Sequence, residues 1–472
     1  MENSVTLPLW LFLLLLVTAV LLILDRILLP GIRWILHRRV NRVIEEVNTR
    51  LDIEIKPFQL TRKQVLIDQL VFDDKVVAVM KEYAAEHNIP TEVAQARVLR
   101  YAKEIVPSFN AVVYFRFGYW LAKTVGRMLY RVHVGFYYKG ERSKINPDSS
   151  IVLVMNHRSN MDYVLLSFLV ADRTALSYAV GEWARIWPLQ TLIKSMGAFF
   201  VRRNSGNALY RGVLKRYVNI ATRAGVCQAV FLEGGLTRDG LLRQPRQGFL
   251  DYMLRDYRVD VDRDVVFVPV GINYDRVLED LSLVRKLDPD AASRSLWFTI
   301  KTSFKFGLKT LLMKPEKRWL RFGYASVNFG RPLSMSEYCQ QQEINFAVLD
   351  KEERFAHIEK LSHLLMSKIA DVVPILPVAL MCEVVLESQP EWLSELGAKA
   401  VAAARIEDLQ ARGAPIEIPA KVCEEVLSAA LAMLEGRGFI ERRDGLIRAQ
   451  PGALDILKYY ANSIEQWKAS SS

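Results

Sequence analysis

The chain has 472 residues, of which 51% are hydrophobic and 24% are charged. This is a globular composition, which excludes a disordered protein and a polytopic membrane protein, and the length exceeds the roughly 250–300 residues of a single core. Lysine and arginine together number 63 against 52 aspartates and glutamates, a formal net charge of +11. The excess favours an anionic partner, which could be a phosphate-bearing substrate, acidic lipid, an acidic carrier or nucleic acid.

An apolar segment near the N-terminus predicts a membrane anchor. Residues 7–24 carry no charge and are just long enough to cross a hydrocarbon core of roughly 30 Å as a helix. Arginines follow this segment closely, so we expect a single transmembrane helix within residues 1–30 and the rest of the chain in the cytoplasm. A cleaved signal peptide is the alternative, but Asp25 and Arg26 stand where the small residues of a cleavage site are expected.

The next elements follow from hydrophobic periodicity. Residues 31–135 are predicted to be helical, with helices over 40–51, 62–87 and 91–106. The pattern then changes to short β-branched and aromatic runs that alternate with helices. These runs predict strands at 151–155, 175–180, 198–201, 229–232, 265–270 and 323–329. The alternation predicts an α/β domain, which we place at residues 136–335.

The last part of the chain, residues 336–472, is predicted to be mostly helical with a small hairpin that turns at Asp444-Gly445, because Asp-Gly favours a tight turn. The four cysteines form no Cys-x-x-Cys pair, and the six histidines show no His-x-x-x-His spacing. Neither a disulfide framework nor a metal site is therefore expected.

One histidine stands where catalytic chemistry is possible. His157 follows the predicted strand 151–155, and Asp162 comes five residues later in the first turn of the next helix. The aspartate could hold the imidazole through Nδ1–H and leave Nε2 as a base for a substrate hydroxyl. Because a histidine near an aspartate is more often structural, this pair needs support from other segments.

Three downstream segments give that support, since each ends a predicted strand with groups suited to an anion. One carries two arginines, the second carries paired glycines with a carboxylate and an arginine, and the third carries a proline that we expect at a strand end. Glycines let the backbone approach an anion, and guanidinium groups bind phosphate with two donors. Together these segments predict one site at the strand ends, and its candidate residues are Arg202, Arg203, Glu233, Gly234, Gly235, Arg238 and Pro269.

These four segments, in this order and spacing, resemble the glycerolipid acyltransferase superfamily, and specifically its membrane-bound bacterial glycerol-3-phosphate acyltransferases. The match is closest in GAFFVRRNSGNALYRGVLKRY, FLEGGLTRDGLLRQPRQGFLDYML, VPVGINYDRVLED and VNFGRP. It extends more loosely to residues 60–135 and to the terminal LKYYANSIEQW. The resemblance implies a mixed α/β sheet with flanking helices, although this chain is considerably shorter than the usual bacterial form.

The resemblance also implies the reaction and its participants. His157 would act as general base on the sn-1 hydroxyl of glycerol 3-phosphate, with Asp162 as its orienting partner. The donor would be acyl-CoA or an acyl-carrier protein, and no metal or bound cofactor would be needed. The protein would work among the phospholipids of the inner (cytoplasmic) membrane.

One departure from the family pattern concerns the acceptor. The third motif usually has an arginine where this chain has Leu236, and leucine cannot bind phosphate. Arg238, Arg202, Arg203 or a lysine such as Lys215 must then supply the charge. Lysophosphatidate and dihydroxyacetone phosphate stay open as acceptors, as does a non-catalytic scaffold that binds lipid or acyl-carrier protein.

A basic and aromatic cluster over residues 301–321 has two interpretations. Lysines at fourfold spacing among large apolar residues are typical of an interfacial helix, but also of a solvated helix on an ordinary domain. A basic aromatic stretch can also bind nucleic acid, yet no nucleic-acid motif accompanies it, so we expect no nucleic-acid partner.

Overall fold

The computed structural model describes residues 57–111, 113–137, 145–170, 174–181, 189–202, 205–287, 322–418 and 423–468. Four predictions therefore lie outside the described residues: the transmembrane span within 1–30, the helix over 40–51, Arg203, and the cluster over 301–321. Among the residues that are described, no helix combines the length and the apolar character that crossing a membrane requires.

The described helices flank the strands along the whole chain. After a single turn at Pro57–Leu60, they are α1 (Lys63–Val71), α2 (Asp74–Glu86), α3 (Thr91–Ile105), α4 (Tyr119–Leu129), α5 (Met161–Val170), α6 (Leu189–Ser195), α7 (Ala208–Arg223), α8 (Gly248–Leu254), α9 (Asp280–Val284), α10 (Met335–Gln341), α11 (Lys351–Ala370), α12 (Pro377–Glu387), α13 (Glu395–Ala411), α14 (Cys423–Gly436) and α15 (Leu454–Ala461). A π-helical segment, Val113–Gly118, precedes α4, and a 3-10 segment, Asn462–Trp467, follows α15.

The described strands are β1 (Arg131–Phe136), β2 (Ser150–Met155), β3 (Ser177–Gly181), β4 (Phe199–Val201), β5 (Gln228–Phe231), β6 (Val265–Tyr274), β7 (Tyr324–Phe329), β8 (Leu333–Ser334), β9 (Leu393–Ser394), β10 (Ile440–Arg443) and β11 (Leu446–Ala449). Among these, β1 to β8 form one sheet in the order β1-β7-β6-β2-β5-β3-β4, with β8 also paired to β6. The strands from β6 to β4 in this order run parallel, whereas β7 and β8 are antiparallel to β6. The predicted mixed α/β sheet is thus confirmed for the described part.

Helices cover both faces of this sheet. In β2, Leu153 and Met155 belong to one hydrophobic cluster, and Val152 and Val154 belong to the other, because successive residues of a strand point to opposite faces. The first cluster includes residues of α4, α5 and α12 to α15, and the second includes residues of α1 to α3, α7, α8, α10 and α11. Helices α1 to α3 and helices α12 to α15 therefore pack on opposite faces of the sheet.

The predicted elements agree with the structure apart from the short strands β8 and β9, which the sequence pattern does not predict, and three further differences. All six predicted strands are present, but β6 runs four residues beyond its predicted end to Tyr274. The predicted helix over 62–87 is two helices: α1 ends at Val71, and Asp73 caps α2 by accepting a hydrogen bond from the backbone of Lys75 at 3.1 Å. Strand β1 lies where helix was predicted, because the short alternation of Val132, Val134 and Phe136 was overlooked. The domain boundaries themselves stay predictions.

The C-terminal hairpin has the predicted turn. Strands β10 and β11 pair antiparallel on either side of Asp444 and Gly445, whose φ angles are 51° and 78°. Positive φ at both central residues matches the right-handed twist of the two strands. The short β9 adds a third strand to this hairpin.

Candidate active site

His157 and Asp162 meet across the turn that joins β2 to α5. His157 follows the end of β2, and Asp162 is the second residue of α5. The histidine Nδ1 lies 2.9 Å from the aspartate Oδ2, and the two residues are 2% and 0% exposed. The structure brings together the two side chains that the sequence singles out, while their catalytic roles stay a prediction.

Four donors surround the carboxylate of Asp162. Its Oδ2 accepts the backbone N–H of Arg158 at 2.8 Å and of Ser159 at 3.0 Å, in addition to the imidazole. Its Oδ1 accepts the hydroxyl of Tyr274 at 2.6 Å. Because an ionised carboxylate only accepts hydrogen bonds, Nδ1 of His157 carries a hydrogen, and in the neutral imidazole the lone pair is then on Nε2. An imidazole in this tautomer can take a proton from a hydroxyl at Nε2.

Two polar side chains fix the ends of this turn. The amide of Asn156 donates to the carbonyl of Ile272 at 2.9 Å and accepts the Ile272 N–H at 2.8 Å, so it extends the pairing between β2 and β6. The carboxylate of Glu279 accepts the Ser159 hydroxyl at 2.7 Å and the Asn160 side-chain amide at 3.0 Å. Burial raises the pKa of Glu279, against the effect of these hydrogen bonds. The turn after β2 is thus bonded at its start to Ile272 of β6 and further along to Glu279, which lies just before α9.

Aromatic rings enclose the imidazole. The ring of Phe231, at the end of β5, lies 4.0 Å from that of His157 between centroids, and the ring of Tyr163 meets it edge-on at 5.6 Å. These contacts restrict the imidazole to the orientation in which it faces Asp162. The carboxyl ends of parallel strands β2 and β5 therefore form one site, as is usual for open α/β sheets.

Glu233 connects this histidine to the loop after β5. One carboxylate oxygen accepts the backbone N–H of His157 at 2.9 Å, and the other accepts the backbone N–H of Arg243 at 3.1 Å. Glu233 is 2% exposed, and this burial raises the pKa of its carboxyl group to about 7. The geometry makes Glu233 a positioning residue for the two loops. Its predicted direct contact with substrate stays a prediction.

The predicted glycine turn lies beside this carboxylate. Gly234 is exposed with φ +66°, a conformation that favours glycine, and Gly235 is buried. Arg238 is exposed and makes no ion pair with the described residues. Leu236 is half-buried and packs against a hydrophobic core cluster, so it offers no charge to this turn.

Arg202 is engaged elsewhere. It follows β4, which lies three strands from β2, or about 14 Å at the usual spacing of strands. Its Nε and Nη2 donate to the two carboxylate oxygens of Glu104 on α3 at 2.9 and 2.6 Å, and these hydrogen bonds raise the pKa of Arg202. Lys215, on α7, has Arg255 and Asp251 among its charged neighbours, and burial lowers its pKa. In the described structure Arg202 is therefore bound by Glu104, while Lys215 is half-buried on α7 near Arg255 and Asp251.

Pro269 lies inside a strand, so the prediction that it ends one is wrong. It pairs with Val154 in the middle of β6, and its carbonyl accepts the N–H of Gly330 at 2.8 Å. The antiparallel neighbours of β6 pair with its residues 266–267 and 270–274. Proline is tolerated here because its missing N–H faces the gap between β8 and β7.

The C-terminal region reaches the same loops. The buried guanidinium of Arg158 donates from Nη1 to the carbonyl of Gly240 at 2.6 Å and lies over the ring of Tyr459 at 5.9 Å. The side chain of Asn462 donates to the carbonyl of Asp239 at 2.9 Å. Helix α15 and the segment after it therefore support the histidine turn and the glycine loop together.

Sequence reasoning missed several of these residues: Asn156, Tyr274, Glu279, Arg243 and Gly240. The only signal for them was their presence inside or next to the stretches that resemble the family. Among the described residues, no group of three His, Cys, Asp or Glu side chains could hold a metal ion.

Comparisons with known families match two parts of the chain. A model described as Acyltransferase matches residues 138–273, which include His157, Asp162 and the glycine turn. A model described as Glycerol-3-phosphate acyltransferase C-terminal region matches residues 310–471. The two matches thus cover both the site and the region that packs against its loops.

Several curated relatives carry the name glycerol-3-phosphate acyltransferase. The protein of Shewanella pealeana is 28% identical over 71% of this chain and 41% of its own length. That of Xanthomonas campestris pv. campestris is 29% identical over 64% of this chain and 33% of its own length, and that of Pseudomonas aeruginosa is 29% identical over 79% and 44%. The chain thus spans less than half the length of these relatives.

Among solved structures, the 1-acyl-sn-glycerophosphate (LPA) acyltransferase of Thermotoga maritima aligns over 58% of this chain and 82% of that chain. The identity is 15% and the TM-score is 0.30, a likeness too slight to carry an argument.

The buried His-x4-Asp pair at the carboxyl ends of the parallel strands lies inside the segment that the Acyltransferase model matches. The C-terminal match and the curated relatives add a similarity to bacterial glycerol-3-phosphate acyltransferases in both matched parts of the chain.

Proposed function

We propose that this chain transfers a fatty acyl group from an acyl thioester to the sn-1 hydroxyl of glycerol 3-phosphate, a step of phospholipid biosynthesis. The observation that carries the proposal is the oriented imidazole of His157, whose Nδ1 is bound by Asp162 and whose Nε2 is left to act as a base. The two matched family models and the names of the curated relatives support the class of acceptor and donor.

The proposed reaction needs one base and no protein nucleophile. Nε2 of His157 takes the hydroxyl proton while the oxygen attacks the thioester carbonyl carbon. The tetrahedral intermediate then collapses, the carbon–sulfur bond breaks, and the leaving thiolate takes the proton back from His157. Backbone N–H groups of the glycine turn would stabilise the oxyanion. General-base assistance of this kind typically contributes about 10²–10⁴ in rate.

The cysteines support direct transfer rather than an acyl-enzyme. Cys227, Cys339 and Cys382 are buried, and burial raises the pKa of Cys227 to about 12 and that of Cys339 to about 11. A thiol is a nucleophile only as thiolate, which such values suppress at neutral pH.

Acceptor and donor need separate tests. The apolar side chain of Leu236 packs against a hydrophobic core cluster and cannot bind the phosphate of glycerol 3-phosphate. Lysophosphatidate and dihydroxyacetone phosphate are therefore alternative acceptors. The donor is acyl-CoA or an acyl-carrier protein, and an acidic carrier should dock more weakly as salt rises. A carrier-dependent rate that salt does not lower would contradict electrostatic docking.

We also propose that residues 7–24 hold the protein in the inner membrane with its catalytic part in the cytoplasm.

The decisive experiment uses the full chain in purified membranes with radiolabelled glycerol 3-phosphate and each thioester. We expect 1-acylglycerol 3-phosphate from the unmodified protein and a loss of at least about 10²-fold in His157→Ala. His363→Ala is the matched control, because His363 is an exposed histidine on α11. Product from lysophosphatidate alone would reject the acceptor, and unchanged activity in His157→Ala would reject the mechanism.

A further inference from the structure

The turn after β5 has the uncharged Leu236 where a cation is expected. The loop that follows places another cation, the guanidinium of Arg243, beside this turn. Leu236 is half-buried against the core, whereas Arg238, Arg243 and Arg246 are all exposed. Of these three arginines, only Arg243 has its guanidinium recorded against the Gly235–Leu236 backbone.

The backbone of Arg243 is fixed relative to the proposed base. Its N–H donates to one oxygen of Glu233 at 3.1 Å, while the other oxygen of the same carboxylate accepts the N–H of His157 at 2.9 Å. A single buried side chain therefore sets the separation of the two residues. The backbone from which the Arg243 side chain extends is therefore held close to the loop that carries His157.

The side chain of Arg243 folds back over the turn. Its Nη1 lies 3.5 Å from the carbonyl oxygen of Leu236, a weak hydrogen bond, and 3.4 Å from the place where a Cβ on Gly235 would stand. A guanidinium has five N–H donors, and the exposed Arg243 makes this one side-chain hydrogen bond with the described residues, so donors remain for a ligand. Arg246 differs, because its aliphatic stem lies against Gly234.

We propose that Arg243 binds the phosphate of the acceptor and supplies the charge that Leu236 lacks. The chemistry fits a small phosphate monoester that also carries a hydroxyl, since the guanidinium binds phosphate oxygens in a bidentate manner while the hydroxyl faces Nε2 of His157. The identity of that ester as glycerol 3-phosphate rests on the proposed function. Arg243 itself is assigned by its contacts with Glu233 and the Gly235–Leu236 turn.

The test measures binding and turnover separately in the full chain. Calorimetric titration with glycerol 3-phosphate, and with inorganic phosphate as a simpler probe, is compared for the unmodified protein, Arg243→Ala and Arg243→Lys. We expect at least a tenfold weaker affinity in Arg243→Ala, a smaller loss in Arg243→Lys, and a rise in KM for the acceptor with kcat and the thioester KM little changed. Arg263→Ala is the matched control, because Arg263 is a partly exposed arginine just before the opposite end of β6, where it pairs with Asp148.

A second variant separates charge from structure. The double variant Leu236→Arg with Arg243→Ala places the cation at position 236 instead of position 243. We expect it to recover most of the affinity for glycerol 3-phosphate that Arg243→Ala loses. Failure of this rescue, together with a changed melting temperature in Arg243→Ala, would mean that Arg243 is structural. Equal affinity in Arg243→Ala and the unmodified protein, or no phosphate binding by either, overturns the proposal. Phosphate binding that depends on Arg243 without any acyl transfer would instead reject only the proposed function.

Discussion

The hydroxyl of Tyr274 donates a hydrogen bond of 2.6 Å to Oδ1 of Asp162. Tyr274 is the last residue of β6, and both residues are fully buried. The bond occupies the carboxylate oxygen that does not face the histidine, so it fixes the rotation of the carboxylate and leaves Oδ2 for the imidazole. Tyr274, at the end of β6, thereby holds Asp162 in place, and Asp162 in turn orients the imidazole of His157.

Tyr274→Phe should lower kcat without a comparable change in KM for the acyl thioester. A hydrogen bond to a charged group is worth about 1.5–3 kcal/mol, which corresponds to roughly ten- to hundredfold in rate if all of it is lost in the transition state. Tyr459→Phe is the control, because the buried Tyr459 hydroxyl has no hydrogen-bond partner among the described residues. Similar steady-state constants in both variants would show that Tyr274 does not orient Asp162.

Asp162→Asn tests the tautomer. An amide has one acceptor oxygen and one NH2 group, so it cannot accept from the imidazole, two backbone N–H groups and the Tyr274 hydroxyl together. We expect kcat to fall by about 10²–10⁴. Asp455→Asn, an exposed residue of α15, should leave activity unchanged. A rate within threefold of the unmodified protein would contradict the orienting role of Asp162.

The predictable part of the site is the part whose residues are near each other in the chain. His157 and Asp162 are five residues apart and share one turn, so their contact followed from the strand–turn–helix pattern. Tyr274 and Glu279 reach the same turn from 112 and 120 residues away. Their arrival depends on which strands are neighbours in the sheet, and no local pattern encodes that order.

Two residues have surroundings that the local pattern does not predict. Arg202 follows a strand, which favours an anion as its partner, yet a carboxylate 98 residues away, Glu104, binds its guanidinium, and its role in substrate binding stays a prediction. Pro269 was placed at a strand end because it lacks an N–H, but the gap between β8 and β7 accommodates it inside β6. In both cases a tertiary partner decided the outcome, whereas the strands themselves followed from their β-branched and aromatic residues.

Glu233 should make stability fall as pH rises. Its pKa is raised by burial from an ordinary 4.5 to about 7, so the folded protein binds this proton more tightly than the unfolded chain does. Between pH 4.5 and 7 the free energy of unfolding therefore loses a contribution of order 3 kcal/mol. In Glu233→Gln this contribution should be absent, while the exposed Glu82→Gln should retain it. Chemical denaturation at pH 5 and pH 8 measures the difference, and an unaltered pH dependence in Glu233→Gln would contradict the assignment.

Gly240→Ala tests whether the C-terminal region supports the glycine loop. Gly240 has φ +89°, and a Cβ added there would stand 1.9 Å from the carbonyl oxygen of Tyr459 in α15. The backbone strain alone costs about 1–2 kcal/mol, and the forced contact adds about 1–3 kcal/mol. Gly413→Ala is the matched control, because Gly413 has φ +75° with no atom within 4 Å of its added Cβ. We expect the larger fall in melting temperature, and a loss of activity, in Gly240→Ala only. Equal falls in the two variants would mean that α15 does not hold this loop.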